Sequence, residues 1–285
     1  MAVKDILVHL DPTPRSEAVL NVAAALAVQH GAHVTGLLVV DLPPPEVFYG
    51  FPSAFMDVQR AEDVVERMRD SRMEEAAGIE GKFRDRLKRD GLAGEWRVVE
   101  GDTAEVLSLH GRYADMTIIG QPDPASVDAG RTPEISFGTL MATGRPLLVV
   151  PFAGSFEAFG TNVLVGWNAT REAARAINDA IPLLQAAKKV TVLSINPRRG
   201  IGGDGEVPAA DIALHLARHG ITAEAAHTIA TDISEGDALL SYAADIGADL
   251  LVCGMYGHSR LHELAFGGVT RSLLTEMTLP VFMVH

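Results

Sequence analysis

Four glycines near the C-terminal end carry the clearest chemical signal in this chain. Gly254, Gly257 and Gly267-Gly268, followed by Val269-Thr270, come directly after the apolar run Leu250-Leu251-Val252-Cys253. A strand that leads through such a loop into a helix offers backbone N–H groups and the positive end of the helix dipole to an anion. Glycine allows that approach because it lacks Cβ and tolerates φ > 0. The pattern therefore predicts a phosphate cradle. A plainer reading gives the same glycines to a strand end, a turn and a hinge before a helix. His258, Arg260 and Arg271 stand close enough in sequence to assist with a phosphate.

Other chemistries lack their residues. No G-x-x-x-x-G-K-[ST] loop is present, and the glycine-rich stretch Gly200 to Gly205 has no Lys-Ser/Thr after it. There is no G-x-S-x-G elbow and no G-x-G-x-x-G dinucleotide fingerprint. His258 and His262 are four residues apart but lack the H-E-x-x-H glutamate, so they read as solvated side chains rather than metal ligands. No residue is assigned a catalytic role.

The glycine loop has a counterpart earlier in the chain. Asp115, Gly120 and Pro146 repeat as Asp249, Gly254 and Pro280, each pair 134 residues apart, within similar apolar surroundings. In that register Gly257 aligns with Asp123, Gly267 with Pro133, Gly268 with Glu134 and Thr270 with Ser136. A carboxylate repels phosphate and proline removes an N–H donor, so only the later loop is expected to hold a nucleotide phosphate. The repeat also begins twice: Ile6 to Asp11 followed by Arg15-Ser16 parallels Val163 to Asn168 followed by Arg171-Glu172.

These anchors need a scaffold, and 285 residues suit two domains of about 140 residues each. The expected division is 1–152, a linker at 153–160 containing Gly154, Ser155 and Gly160, and 161–285. Apolar strands alternate with amphipathic helices in the order βαβαβαβαβ in each half, which predicts an α/β fold of two doubly wound parallel-sheet domains. An aromatic, proline-rich insertion at about 43–56 interrupts the first half, with Phe48, Tyr49, Phe51 and Phe55. It is compatible with a lid, a partner contact or, most plainly, a flap over apolar surface of its own chain. A long helix of mixed charge is expected from Val58 to Arg89.

A formal net charge of −13 argues against a nucleic-acid partner. The single cysteine, Cys253, lies inside an apolar strand pattern and reads as a buried, inert thiol. The N-terminus enters a strand pattern without a signal-peptide core, and no apolar stretch is long enough to span a membrane. A cytoplasmic location is expected.

The motif and the repeat together resemble the universal stress protein family, with two such domains in tandem. The family's ATP-binding members carry G-x2-G-x9-G-(S/T) after the fourth strand, and Gly254, Gly257, Gly267 and the continuation Val269-Thr270 match it. Gly268 departs from the Ser or Thr, leaving a backbone N–H without a hydroxyl. Asn168 departs from the usual Asp at the end of the first strand, and Asp11 keeps that carboxylate in the half whose loop is blunted. The resemblance implies ATP, or ADP or AMP, with Mg²⁺ as phosphate counter-ion. Phosphates would lie over Gly254, Gly257, Gly267, Gly268, Val269 and Thr270, with His258 nearby, and Trp167, Asn168, Ile195 and Asn196 would face the adenosine. It also implies an intrachain pseudo-dimer in which Leu147 to Val150 meets Val281 to Val284 antiparallel. A homodimer of whole chains is compatible with this arrangement. Three readings follow: a nucleotide-binding stress-response or signalling module, an interaction scaffold without nucleotide, and a slow ATPase.

Overall fold

In the computed structural model, residues 2–43, 58–121, 139, 142–156, 159–197, 209–255 and 268–285 are described. Continuous apolar runs become the central strands, covered on both faces, while the outermost strands, Gly94–Glu100 and Ala223–Thr228, are more polar and partly exposed; most segments between strands become helices. The first half runs β1 (Asp5–His9), α1 (Arg15–His30), β2 (His33–Val40), α2 (Val58–Asp90), β3 (Gly94–Glu100), α3 (Thr103–Gly111), β4 (Met116–Gly120) and β5 (Leu147–Val150). The second runs β6 (Asn162–Gly166), α4 (Arg171–Ala186), β7 (Lys189–Ile195), α5 (Ala210–Arg218), β8 (Ala223–Thr228), α6 (Glu235–Asp245), β9 (Leu250–Gly254), α7 (Gly268–Glu276) and β10 (Val281–Val284). The 43–56 insertion falls outside the described residues, apart from Pro43.

The ten strands among the described residues form one sheet in the order β3-β2-β1-β4-β5-β10-β9-β6-β7-β8. Every neighbouring pair is parallel except β5 and β10, which run antiparallel with Val281 opposite Val149 and Met283 opposite Leu147. Period-two alternation sorts the strand side chains between two cores. Ile6, Val8, Leu148, Val163, Val252 and Phe282 enter one, and Leu7, Val149, Leu164, Leu251, Cys253 and Met283 enter the other.

The parallel direction brings the carboxyl ends of β6, β7 and β9 to one side of the sheet. Helices α4 and α7 begin there, which is where ligands of open α/β sheets collect.

Candidate functional site

β9 ends at Gly254 and α7 begins at Gly268, so the glycine run leads from a strand's carboxyl end to a helix N-terminus. Gly257, His258, Arg260 and Gly267 lie outside the described residues, as do Asp123, Pro133 and Glu134 of the first-half counterpart. Gly268, Val269 and Thr270 form the first turn of α7, with Thr270 buried.

Gly254 is constrained by protein rather than by open space. A Cβ built there would stand 2.4 Å from both the Ala173 backbone N and the Glu172 carbonyl carbon, and 2.8 Å from the Glu172 O. The first turn of α4 therefore packs directly on the end of β9, and glycine is required for that contact. Gly120 holds the corresponding place in the first half, where a Cβ would meet only the side chains of Val19 at 3.0 Å and Arg15 at 3.4 Å. The missing Cβ at Gly254 is accounted for by the close approach of α4.

The two asparagines assigned to the adenosine build the turns that follow their strands. Asn168 Oδ1 accepts from Thr170 Oγ1 at 2.8 Å and from Thr170 N at 3.3 Å, and Thr170 Oγ1 in turn accepts from Ala173 N to cap α4. Asp11 does the same after β1, where its Oδ1 accepts from Thr13 N at 3.0 Å and Thr13 Oγ1 at 2.5 Å. An acceptor oxygen is what this turn needs, and amide and carboxylate both supply one. Asn196 sits at φ 49°, and its side chain donates to Ala230 O at 3.1 Å and accepts from Ala230 N at 2.9 Å. This ties the end of β7 to the loop after β8. Ala169 also lies in the left-handed region, at φ 55°, a conformation that costs a non-glycine residue roughly 1–2 kcal/mol. Trp167, half-buried, continues the ladder past β6 by donating its backbone N–H to Leu193 O, and Ile195 is half-buried at the end of β7.

Two anchors of α7 are absent from the sequence-based assignments. Ser272 Oγ donates to Asp237 Oδ1 at 2.5 Å, and the hydrogen bonds from Ser272 and then Ser234 hold the Asp237 carboxyl below its ordinary range. The Ser234-x-x-Asp237 spacing is a helix-capping signal that could have marked this position, since Ser234 caps α6 by accepting from Asp237 N. At the other end of α7, buried Gln121 of the first half donates to the carbonyls of Leu274 at 2.8 Å and Thr275 at 3.1 Å. Both anchors fix the helix whose N-terminus closes the glycine loop.

Arg171 pairs with Glu172, a buried carboxylate. Burial pushes Glu172 up, but Arg171, a backbone hydrogen bond and His285 outweigh it and leave the group below its ordinary value. Among the described residues no cluster of three or more His, Cys, Asp or Glu side chains could hold a metal, and no helix is long and apolar enough to cross a membrane. A cleft of about 960 Å³ lies elsewhere, between the β1–α1 turn, Leu20 and the Ile79, Lys82 and Arg86 side of α2.

Burial pushes the Cys253 thiol up to about 12. Its thiolate fraction at mildly alkaline pH is then about a thousandfold below that of an ordinary thiol. A disulfide reagent is expected to label the native chain slowly and the denatured chain at once; comparable rates in both states would refute the burial.

The universal stress protein family model matches residues 161–285. The whole chain is similar in structure to a universal stress protein from Archaeoglobus fulgidus DSM 4304, with a TM-score of 0.76 and 16% identity over 98% of this chain and 95% of that one. A functionally unknown protein from Pseudomonas aeruginosa PAO1 matches with a TM-score of 0.63 and 14% identity, over 99% of this chain and 92% of that one. No curated protein matches the chain in sequence. At these identities the structural likenesses speak for the fold, while the family model speaks for the second half. Residues 161–285 match the universal stress protein family model, and the chain as a whole shares the fold of these solved structures.

Proposed function

We propose that residues 161–285 bind ATP or a related adenine nucleotide at one site per chain, and that occupancy serves a stress-response or signalling module. The observation that carries this reading is the order of elements: β9 ends at Gly254, α7 opens at Gly268, and the motif glycines lie between them. The first N–H groups of α7 have no partner within the helix and favour an anion. The phosphates belong over Gly254, Gly257, Gly267, Gly268, Val269 and Thr270, with Mg²⁺ as their counter-ion and His258 beside them. The backbone at Trp167, Asn168, Ile195 and Asn196 borders the adenosine. In this reading the chain consists of two fused domains, 1–152 and 161–285, joined by the 153–160 linker. The antiparallel β5–β10 pair and the mirrored strand order on either side of it support that division.

A scaffold without nucleotide is the second reading, favoured by the engagement of Asn168 and Asn196 in their own turns and of Gly254 in packing α4. Extraction of the purified protein and titration with ATP, ADP and AMP separates the two. Adenine nucleotide bound at one equivalent per chain supports the first, and no binding at millimolar concentration supports the second. Gly257→Asp, which copies the first-half residue, is expected to weaken ATP binding about 100-fold or more through like-charge repulsion. Unchanged affinity would remove the cradle. Phosphate release by the loaded protein would add slow hydrolysis to the module.

A further inference from the structure

We propose that the open edge of β3 pairs antiparallel with β3 of a second copy of this chain, on a two-fold axis through Trp96. Among the described residues the sheet ends at β3 and β8. β3 pairs one-for-one with β2 from Val34↔Gly94 to Val40↔Glu100, without a bulge. It contains neither proline nor lysine, two of the devices that usually blunt an edge.

Two hydrogen bonds fix which backbone groups are free. Val34 N donates to Ala93 O at 3.1 Å and Gly101 N donates to Val40 O at 3.2 Å. In a regular strand the intervening odd residues, Glu95, Arg97 and Val99, therefore turn toward β2. Gly94, Trp96, Val98 and Glu100 turn their N–H and C=O groups outward.

A two-fold axis normal to the sheet pairs residues of like parity, and the outward set permits few registers. Centred on Trp96, it pairs Trp96 with its own copy and Gly94 with Val98, all through outward groups. Glu95 then stands opposite Arg97 of the other copy at a non-hydrogen-bonded position, where side chains approach most closely. The contact occurs twice. Glu95 and Arg97 already share one face of the sheet, are paired within the chain and are roughly half exposed. The two-fold arrangement would close them into a four-charge ring. A recess of about 400 Å³ on the same face is lined by Glu95, Arg97, His110 and Tyr113, and Tyr113 is 80% exposed, an aromatic ring beside the edge.

Competing arrangements lack this match. Centring on Arg97 sets two guanidinium groups against each other, and centring on Val98 sets Arg97 against Val99. At β8, Asn196 N donates to Thr228 O, so Ala225 turns outward, and an axis there places Glu224 opposite Ala226.

The test is the mass of the full chain in solution, by light scattering and sedimentation at tens of micromolar and low salt. The expected species is a dimer of the 30.3 kDa chain. Arg97→Glu should raise the dimer dissociation constant at least about tenfold, and Glu95→Arg combined with Arg97→Glu should restore it. Val98→Pro removes an outward N–H without touching the β2 ladder, and should leave a folded monomer with an unchanged circular-dichroism spectrum. A wild-type monomer overturns the proposal, and so does a dimer that survives these variants. Loss of the dimer in Val98→Pro but not in Arg97→Glu would overturn the register.

Discussion

Gly254→Ala is expected to destabilise the chain by about 3 kcal/mol, near the upper end of overpacking in a well-filled core. The added methyl would meet the Ala173 N and the Glu172 carbonyl carbon at 2.4 Å, and both are backbone atoms in the first turn of α4, which cannot rotate away. Relief requires α4 to lift from the end of β9, which would disturb the Thr170 cap and the buried Glu172 together. Gly120→Ala is the control. There the new methyl meets the ends of flexible side chains, Val19 Cγ2 at 3.0 Å and Arg15 Cγ at 3.4 Å, and an effect of about 1 kcal/mol or less is expected. Urea unfolding of the two variants measures the difference directly. Equal losses would refute the contact. If Gly254→Ala weakened nucleotide binding and left stability unchanged, glycine would be needed there for the ligand instead of for α4.

That contrast shows which parts of the site could be read from residue order. The alternation of apolar and amphipathic runs located the strands and helices because the central strands are covered on both faces; Leu147–Val150, Leu250–Gly254 and Val281–Val284 were visible as short unbroken apolar runs. Spacing also placed the glycine run after a strand and before a helix. It could not tell from which side a glycine is approached, and at Gly254 the approaching backbone belongs to α4, about eighty residues earlier in the sequence. Asn168 and Asn196 were recognised as polar groups at strand ends, where a ligand and a turn make the same demand for an acceptor. Only their bonds to Thr170 and Ala230 distinguish the two uses. Gln121 and Asp237 were missed for a related reason. Each holds α7 through a contact with a distant segment, and neither Gln121→Leu274 nor Ser272→Asp237 follows from any local pattern in the intervening chain.

Removal of Val281–His285 is expected to abolish the folded state. Val281, Phe282, Met283 and Val284 are fully buried, and at roughly 1.5–3 kcal/mol for each buried side chain their loss amounts to about 6–12 kcal/mol, comparable with the whole stability of a typical protein. The deletion would also strip β5 and β9 of their shared neighbour and expose two apolar edges at the middle of the sheet. Aggregation or loss of cooperative unfolding should result, and a truncated chain that stayed monodisperse and equally stable would overturn the expectation. Phe282→Ala is the milder form, with an expected loss of about 3–5 kcal/mol, and it also tests how the two halves are coupled. The chain has two tryptophans, one in each half, so Trp96 reports on the first and Trp167 on the second. Phe282 shares a core with Leu148 and Val150 on one side and Val163 and Val252 on the other. If the ten-stranded sheet unfolds as one cooperative unit, single-tryptophan variants should show coincident denaturant midpoints, and Phe282→Ala should move both by the same amount. A shift confined to Trp167 would mean that β10 stabilises only the second half, and that the β5–β10 pair joins two units able to unfold separately.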